Sequence, residues 1–278
     1  MIVAIGSLHR EAVGIIRSGD YTVVEAPEDF IAHRPVLSPT PGDNGTSRMP
    51  AVVLSGPGTD RAARATAWAI EEFSPEAIVS FGFGGATRDH EHPGDIVIGA
   101  RVINLSGTPF EWSIIDTPES LGPDRTLRLA ARTAVEVTGL DYHHGTIVTV
   151  SAVPRTSGMK RWLGEAINAT AVDTETHAVA DTAARAGVPW VSVLSILDDR
   201  DFELPTIIDR VGSGPRQRGT VAYIRHFSGS PLNLASLIRL GRASKHARRA
   251  SASLTTFMAA FMEAHSTLTN EDRVLETA

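Results

Sequence analysis

The stretch Ala171-Val172-Asp173-Thr174-Glu175-Thr176-His177-Ala178-Val179-Ala180, continuing through Gly187-Val188-Pro189 to Asp198-Asp199, decides the reading of this chain. It predicts a short strand, a helix of small residues, a glycine turn and a second strand that ends on two carboxylates. The run from Trp190 to Leu197 is apolar apart from Ser192 and Ser195, the pattern of a strand buried on both faces. Glu175 falls in the helix's first turn, where the helix dipole favours an ionised carboxylate. Asp198 and Asp199 follow the strand's carboxyl end, where open α/β sheets place their ligands. One strand–helix–strand unit therefore offers an acid at each end.

Working outward, residues 2–5 predict a strand ending at Gly6, and residues 9–17 a helix with Val13, Ile15 and Ile16 inward and Glu11 near its start. A second short strand is expected at 22–25. Residues 27–50 are rich in Pro, Gly, Asn, Asp and Ser and predict a long surface loop. A strand at 51–54 leads into Ser55-Gly56-Pro57-Gly58-Thr59-Asp60 and a helix over 61–73. Another at 77–81 feeds the turn Gly82-Phe83-Gly84-Gly85-Ala86. Glycines at such turns let backbone N–H groups approach a ligand closely. Neither turn is a P-loop or a full dinucleotide fingerprint. Residues 94–104 and 145–150 predict strands, 124–138 an amphipathic helix, and 155–167 a loop and short helix. This alternation predicts an α/β fold: a central mixed, mostly parallel twisted sheet flanked by helices in three α/β/α layers.

Past Asp199 the chain leaves the sheet through residues 200–205 and becomes turn-rich at 212–219. A helix is expected at 221–227, and Pro231 opens a long helical tail with Leu254, Phe257, Met258, Phe261 and Met262 on one face. The predicted division is an α/β domain over residues 1–209 and a basic helical C-terminal extension over 210–278, packed on it, with the last dozen polar residues frayed.

Charge supports that division. The net charge is −6, yet residues 210–249 hold nine Lys and Arg and no acid, which leaves −15 on the remainder. A segment of this kind either docks on an acidic body or meets an anionic surface such as a membrane. Cysteine is absent, so disulfides, thiol nucleophiles and Cys-ligated zinc are excluded. His90 with His92, and His143 with His144, lack a partner at metal-ligand spacing, so no metal is expected. The first residues lack the basic and apolar regions of a signal peptide, and no segment approaches roughly 18 uninterrupted apolar residues. The expectation is a cytoplasmic protein.

Several landmarks, in order, resemble the nucleoside phosphorylase and nucleosidase superfamily, in its methylthioadenosine/S-adenosylhomocysteine nucleosidase-like branch. Gly6-Ser7-Leu8-His9-Arg10-Glu11 resembles the first strand-turn with its glutamate, and Ser55-Gly56-Pro57-Gly58 the Gly-x-Gly turn. Gly82-Phe83-Gly84-Gly85 followed by Gly94-Asp95-Ile96-Val97-Ile98 is similar to the glycine turn and the strand after it. Asp173-Thr174-Glu175, Val188-Pro189 and Asp198 resemble the closing acidic signature. The match covers about the first 205 residues. Residues 198–205 and the basic tail at 232–249 further resemble the hopanoid-associated phosphorylases, for which removal of adenine from the lipid-linked nucleoside adenosylhopane is implied.

The resemblance implies cleavage of the N-glycosidic bond of a purine nucleoside without a cofactor. Such a reaction passes through an oxocarbenium-like state, which needs an acid on the base and negative charge near the sugar. By resemblance Glu175 binds the ribose hydroxyls and stabilises the sugar cation, and Glu11 orients or deprotonates water. Asp198, kept protonated by burial and by Asp199, donates toward N7 of adenine. Gly6, Gly56, Gly82, Phe83, Gly84, Asp173 and Thr174 line the substrate. Val153 stands where the family stacks an aromatic on the base, and Phe83 is the residue expected to cover the site instead. Leu194 and Leu197 replace a family arginine and serine, which favours water over phosphate as nucleophile. The expected partners are the purine nucleoside, in its sharper form lipid-linked, a peripheral membrane contact through 210–249, and a second copy in a homodimer or larger homo-oligomer; nucleic acid is not expected. Taken singly, Glu11 reads more readily as a solvated helix-start acid, Glu175 reads also as an ordinary first-turn acid, and the Asp198-Asp199 pair equally as a cap. The alternatives are phosphorolysis of a purine nucleoside or methylthioadenosine, or a non-catalytic nucleoside-binding protein.

Overall fold

The computed structural model of the chain describes residues 1–27, 30–36, 49–106, 113–114, 121–203 and 234–276. The elements begin with β1 (Ile2–Gly6), α1 (His9–Arg17), β2 (Tyr21–Val24), β3 (Ile31–Pro35), β4 (Ala51–Leu54), α2 (Thr59–Phe73) and β5 (Ala77–Ala86). They continue with β6 (Ile96–Ser106), β7 (Ser113–Ile114), α3 (Arg125–Thr138), β8 (Tyr142–Val150) and α4 (Ser157–Ala166). The chain then forms β9 (Ala169–Asp173), α5 (Thr176–Arg185), β10 (Trp190–Asp198) and α6 (Leu234–Glu276).

All strands join one mixed sheet in the order β10-β6-β8-β9-β5-β1-β4-β3-β2, with β7 on β6. The long ladders β5–β10 and β6–β8 are parallel. Successive residues of β1 face opposite sides of the sheet, as strand geometry requires. Ile2 and Ala4 join α1, α3 and α6 in one core, while Val3 and Ile5 join α2 and α5 in the other. Those two cores give the three layers that the alternating sequence implied.

The sheet is not open at the site, as the acids after Trp190–Leu197 suggested; it closes on itself. β5 also pairs with β10, so β5, β10, β6, β8 and β9 form a ring. β1 accompanies β5 as far as Ser80, and β9 takes over at Gly85 and Ala86. The glycines expected to form a turn are therefore inside a strand. Close approach explains them: a Cβ on Gly84 would lie 3.0 Å from Leu194, and one on Gly82 would lie 3.1 Å from the Glu11 carboxylate. A side chain at either position would have to push Leu194 or the Glu11 carboxylate aside.

One further expectation changes. The loop expected over 27–50 contains β3, which pairs antiparallel with both β2 and β4; residues 28–29 and 37–48 lie outside the described residues. Ile-Ala-His-Arg-Pro carries no strand alternation, and its pairing comes from neighbours on both sides. Helix α6 runs from Leu234 through Glu276. The helix expected at 221–227 lies outside the described residues, as does most of the basic segment 210–249.

Helix α6 contributes directly to the core. Leu254, Phe257, Met258, Phe261 and Met262 recur at helical spacing, are buried, and share a cluster with Ile2, Val79 and Leu127. At Gly14 of α1 the two helices meet so closely that a Cβ would overlap the Thr255 hydroxyl. Among the described residues no helix is long and apolar enough to cross a membrane.

Candidate active site

Glu11 is the third residue of α1 and turns back on its own N-terminus. Its Oε2 accepts the N–H groups of Ser7 at 2.8 Å and Leu8 at 2.7 Å, donors that a helix start leaves unpaired. Its Oε1 accepts the N–H of Phe83 on β5 at 3.0 Å. Burial pushes this carboxyl up to about 8; the three N–H bonds oppose the rise and the charge of Glu175 adds to it.

Glu175 caps α5. Its Oε1 accepts the N–H of Gly58 and the hydroxyl of Thr174, each at 2.7 Å. The helix dipole favours the ionised form but does not dominate. Burial, then Asp173, raises Glu175 to about 7, because lost hydration outweighs a half-charge at a helix end. Gly58 reaches it with φ at +108°, and the turn behind is anchored by Arg61 Nε donating to the Ser55 carbonyl at 2.7 Å. Asp173, also raised by burial, accepts the Thr149 hydroxyl and the Thr176 N–H at 2.7 Å each.

Glu11 and Glu175 face one cleft. Gly6, Ser7, Ser55, Ser80, Phe81, Gly82, Phe83, Asp173, Thr176, Val179 and Leu194 complete its walls with Ile5, and no Lys or Arg lines it among the described residues. Thr176 is buried there beside Asp173. Gly56, at φ +75°, donates to the Ser7 carbonyl at 3.1 Å beside the cleft.

Asp198 does not line that cleft. It ends β10 in register with Gly85, which pairs on its other side with Val172 next to Asp173. One strand, β5, separates the two backbones. Burial raises Asp198, but an ammonium opposes it: Lys160 of α4, fully buried, forms an ion pair with Oδ2. Val153 is half-exposed beyond β8, and Phe83 lies in the cleft wall.

Sequence reading missed Lys160, Thr149 and Thr176. Lys160 and Leu163 are three residues apart on the inward face of α4, so the pattern held a signal: a lysine at a core position. Thr149 and Thr176 left no such mark.

A ring-closed α/β domain whose cleft is lined by Glu11, Asp173 and Glu175, each raised by burial, has the arrangement of an enzyme site. Residues 44–212 match the model of the phosphorylase superfamily, and the chain belongs to that superfamily. Among curated relatives, the 5'-methylthioadenosine/S-adenosylhomocysteine nucleosidase of Exiguobacterium sp. is 28% identical over 163 residues, 56% of this chain and 70% of its own length. The Shewanella halifaxensis protein of the same name is 30% identical over 165 residues, 57% of this chain and 72% of its own. The fold matches the Neisseria meningitidis nucleosidase of that name, in complex with methylthio-immucillin-A, with a TM-score of 0.68 at 21% identity, covering 94% of this chain and 97% of that one. It also matches futalosine hydrolase of Helicobacter pylori, with a TM-score of 0.67 at 16% identity, covering 92% and 96%.

Proposed function

We propose that the protein cleaves the N-glycosidic bond of a purine nucleoside and releases adenine, with water as the nucleophile. The observation that carries this reading is the convergence of Glu11 and Glu175 on one cleft, supported by relatives named as nucleosidases. Departure of the base leaves positive charge on the sugar, and Glu175, when ionised, offers the matching negative charge. Glu11, tethered to the backbone on both oxygens, is placed to orient a water and, once ionised, to accept its proton. Asp198 supplies a proton to the leaving base from the far side of Gly85. A cleft without Lys or Arg among the described residues suits water better than phosphate.

The substrate we favour is a lipid-linked adenosine of the adenosylhopane type, on the strength of residues 198–205 and the acid-free basic segment 210–249. A basic segment adds about 1 kcal/mol of attraction per Lys or Arg near an anionic leaflet. The test is adenine release from adenosylhopane, methylthioadenosine and adenosine, compared with Glu175→Gln. Release from adenosylhopane above the other two, lost in the variant, is the expected result. Release that survives Glu175→Gln removes the role given to that residue, and tight adenosine binding without turnover replaces the enzyme reading with a binding protein.

A further inference from the structure

The side chain of Lys160 is fully buried, and its ammonium is surrounded by acceptors from a single segment. It pairs with Asp198 Oδ2 and donates to the carbonyls of Asp199 at 3.0 Å and Phe202 at 2.9 Å. An ammonium has three N–H donors, and all three are used. A lysine buried in this way is costly unless paired, so the pair is held together by more than chance proximity. The carbonyls belong to the turn that carries the chain away from β10, so one side chain fixes both the carboxyl and its turn.

We propose that Lys160 is the positioning residue for Asp198: it occupies Oδ2, leaves Oδ1 to face the purine, and stabilises the carboxylate that forms when the proton leaves. This rests on the nucleosidase reading and deepens it. In the step concerned, the Oδ1 proton passes to N7 of the base while the C1′–N9 bond breaks and its electron pair goes to the purine. Asp198 becomes a carboxylate beside an ammonium that is already in place. Lys160 thereby makes Asp198 a stronger acid than burial alone allows, and it needs no reorganisation to do so.

Other charged groups face the pair. Asp199 lies on the same turn, His246 approaches from α6 with its ring 5.8 Å from that of Phe202, and His92, from the turn before β6, stands 3.5 Å from Asp199. Any pH dependence has to be separated from theirs.

The experiment measures kcat and kcat/KM for adenine release across roughly pH 5 to 9 in wild type, Lys160→Met, Lys160→Gln and Lys160→Arg, and repeats the wild-type and Lys160→Met profiles on His246→Gln and on His92→Gln/Asp199→Asn backgrounds. Loss of the adjacent cation in Met or Gln should move the basic limb upward by roughly one to three pH units and lower kcat more than it raises KM. Arg should keep the limb where it is. A limb that stays at its wild-type position in both neutral variants overturns the proposal even where the rate falls. Adenine affinity, measured calorimetrically over the same range, reads the same carboxyl without turnover. If wild type releases no adenine from any nucleoside, the nucleosidase reading fails. In that case an unshifted affinity profile in Lys160→Met separately overturns the Lys160 assignment, and a shifted one upholds the pairing.

Discussion

The carboxylate of Glu11 accepts the backbone N–H of Phe83 at 3.0 Å, joining the first helix to the middle of β5 across 72 residues of sequence. Gly82 makes this possible, because the acid passes within 3.1 Å of where a Cβ would stand. Alanine there would force a tethered carboxylate aside. Gly82→Ala is therefore expected to lower adenine release at least about tenfold, a change of about 1.4 kcal/mol in barrier. Wild-type kcat/KM in the variant would show that this contact is dispensable.

Burial holds Glu11 at about 8, well above its ordinary 4.5. The folded state thus binds a proton that the unfolded chain has released, so stability is fully present below about pH 4.5 and is lost as pH rises through about 8. Glu175, at about 7, has the same sign. Urea unfolding should show stability falling over this window by a few kcal/mol in wild type, and Glu11→Gln should flatten part of the fall. An equal slope in the variant would mean that Glu11 is not the group responsible.

Much of this architecture was legible in the chain, and the reasons differ by element. The apolar run Trp190–Leu197 and the alternating strands and helices read correctly because burial on two faces leaves a local composition. Ring closure did not, since Gly82, Gly84 and Gly85 look alike whether they make a turn or admit Leu194 and Glu11 into a strand. The acids could be named from the order of motifs. Their partners could not: the Gly58–Glu175 bond spans 117 residues and involves only a backbone N–H on one side. The sequence points to burial and Asp199 as the influences on Asp198 and misses the nearer charge, Lys160, which sits on a helix far along the chain.

Phe257 and Phe261 stack at 5.7 Å on α6 and are wholly buried in the core that α6 shares with α1, α3 and β10. If the C-terminal helix were a removable appendage, trimming one ring would cost little. Phe257→Ala is instead expected to destabilise the whole domain by about 3–5 kcal/mol, the usual range for a core aromatic. The measurement is the urea midpoint with an unchanged slope. A loss under about 1 kcal/mol would argue that α6 packs loosely.

Phosphate gives the sharpest test of the nucleophile. A phosphorylase has to hold a dianion beside the sugar, which calls for cationic or N–H donors aimed into the cleft. Here the N–H groups of Gly58, Ser7, Leu8 and Phe83 are already donated to Glu175 and Glu11, and Leu194 stands where the motif resemblance places an arginine. Two buried carboxyls would also repel the anion as soon as either ionises. Adenine release should therefore be the same within about twofold with or without phosphate, a difference of about 0.4 kcal/mol. The free sugar, rather than the sugar 1-phosphate, should accumulate in both. Formation of the 1-phosphate would require the Gly58 N–H to leave Glu175 for the incoming anion, and Glu175→Gln should then speed phosphate entry rather than abolish turnover.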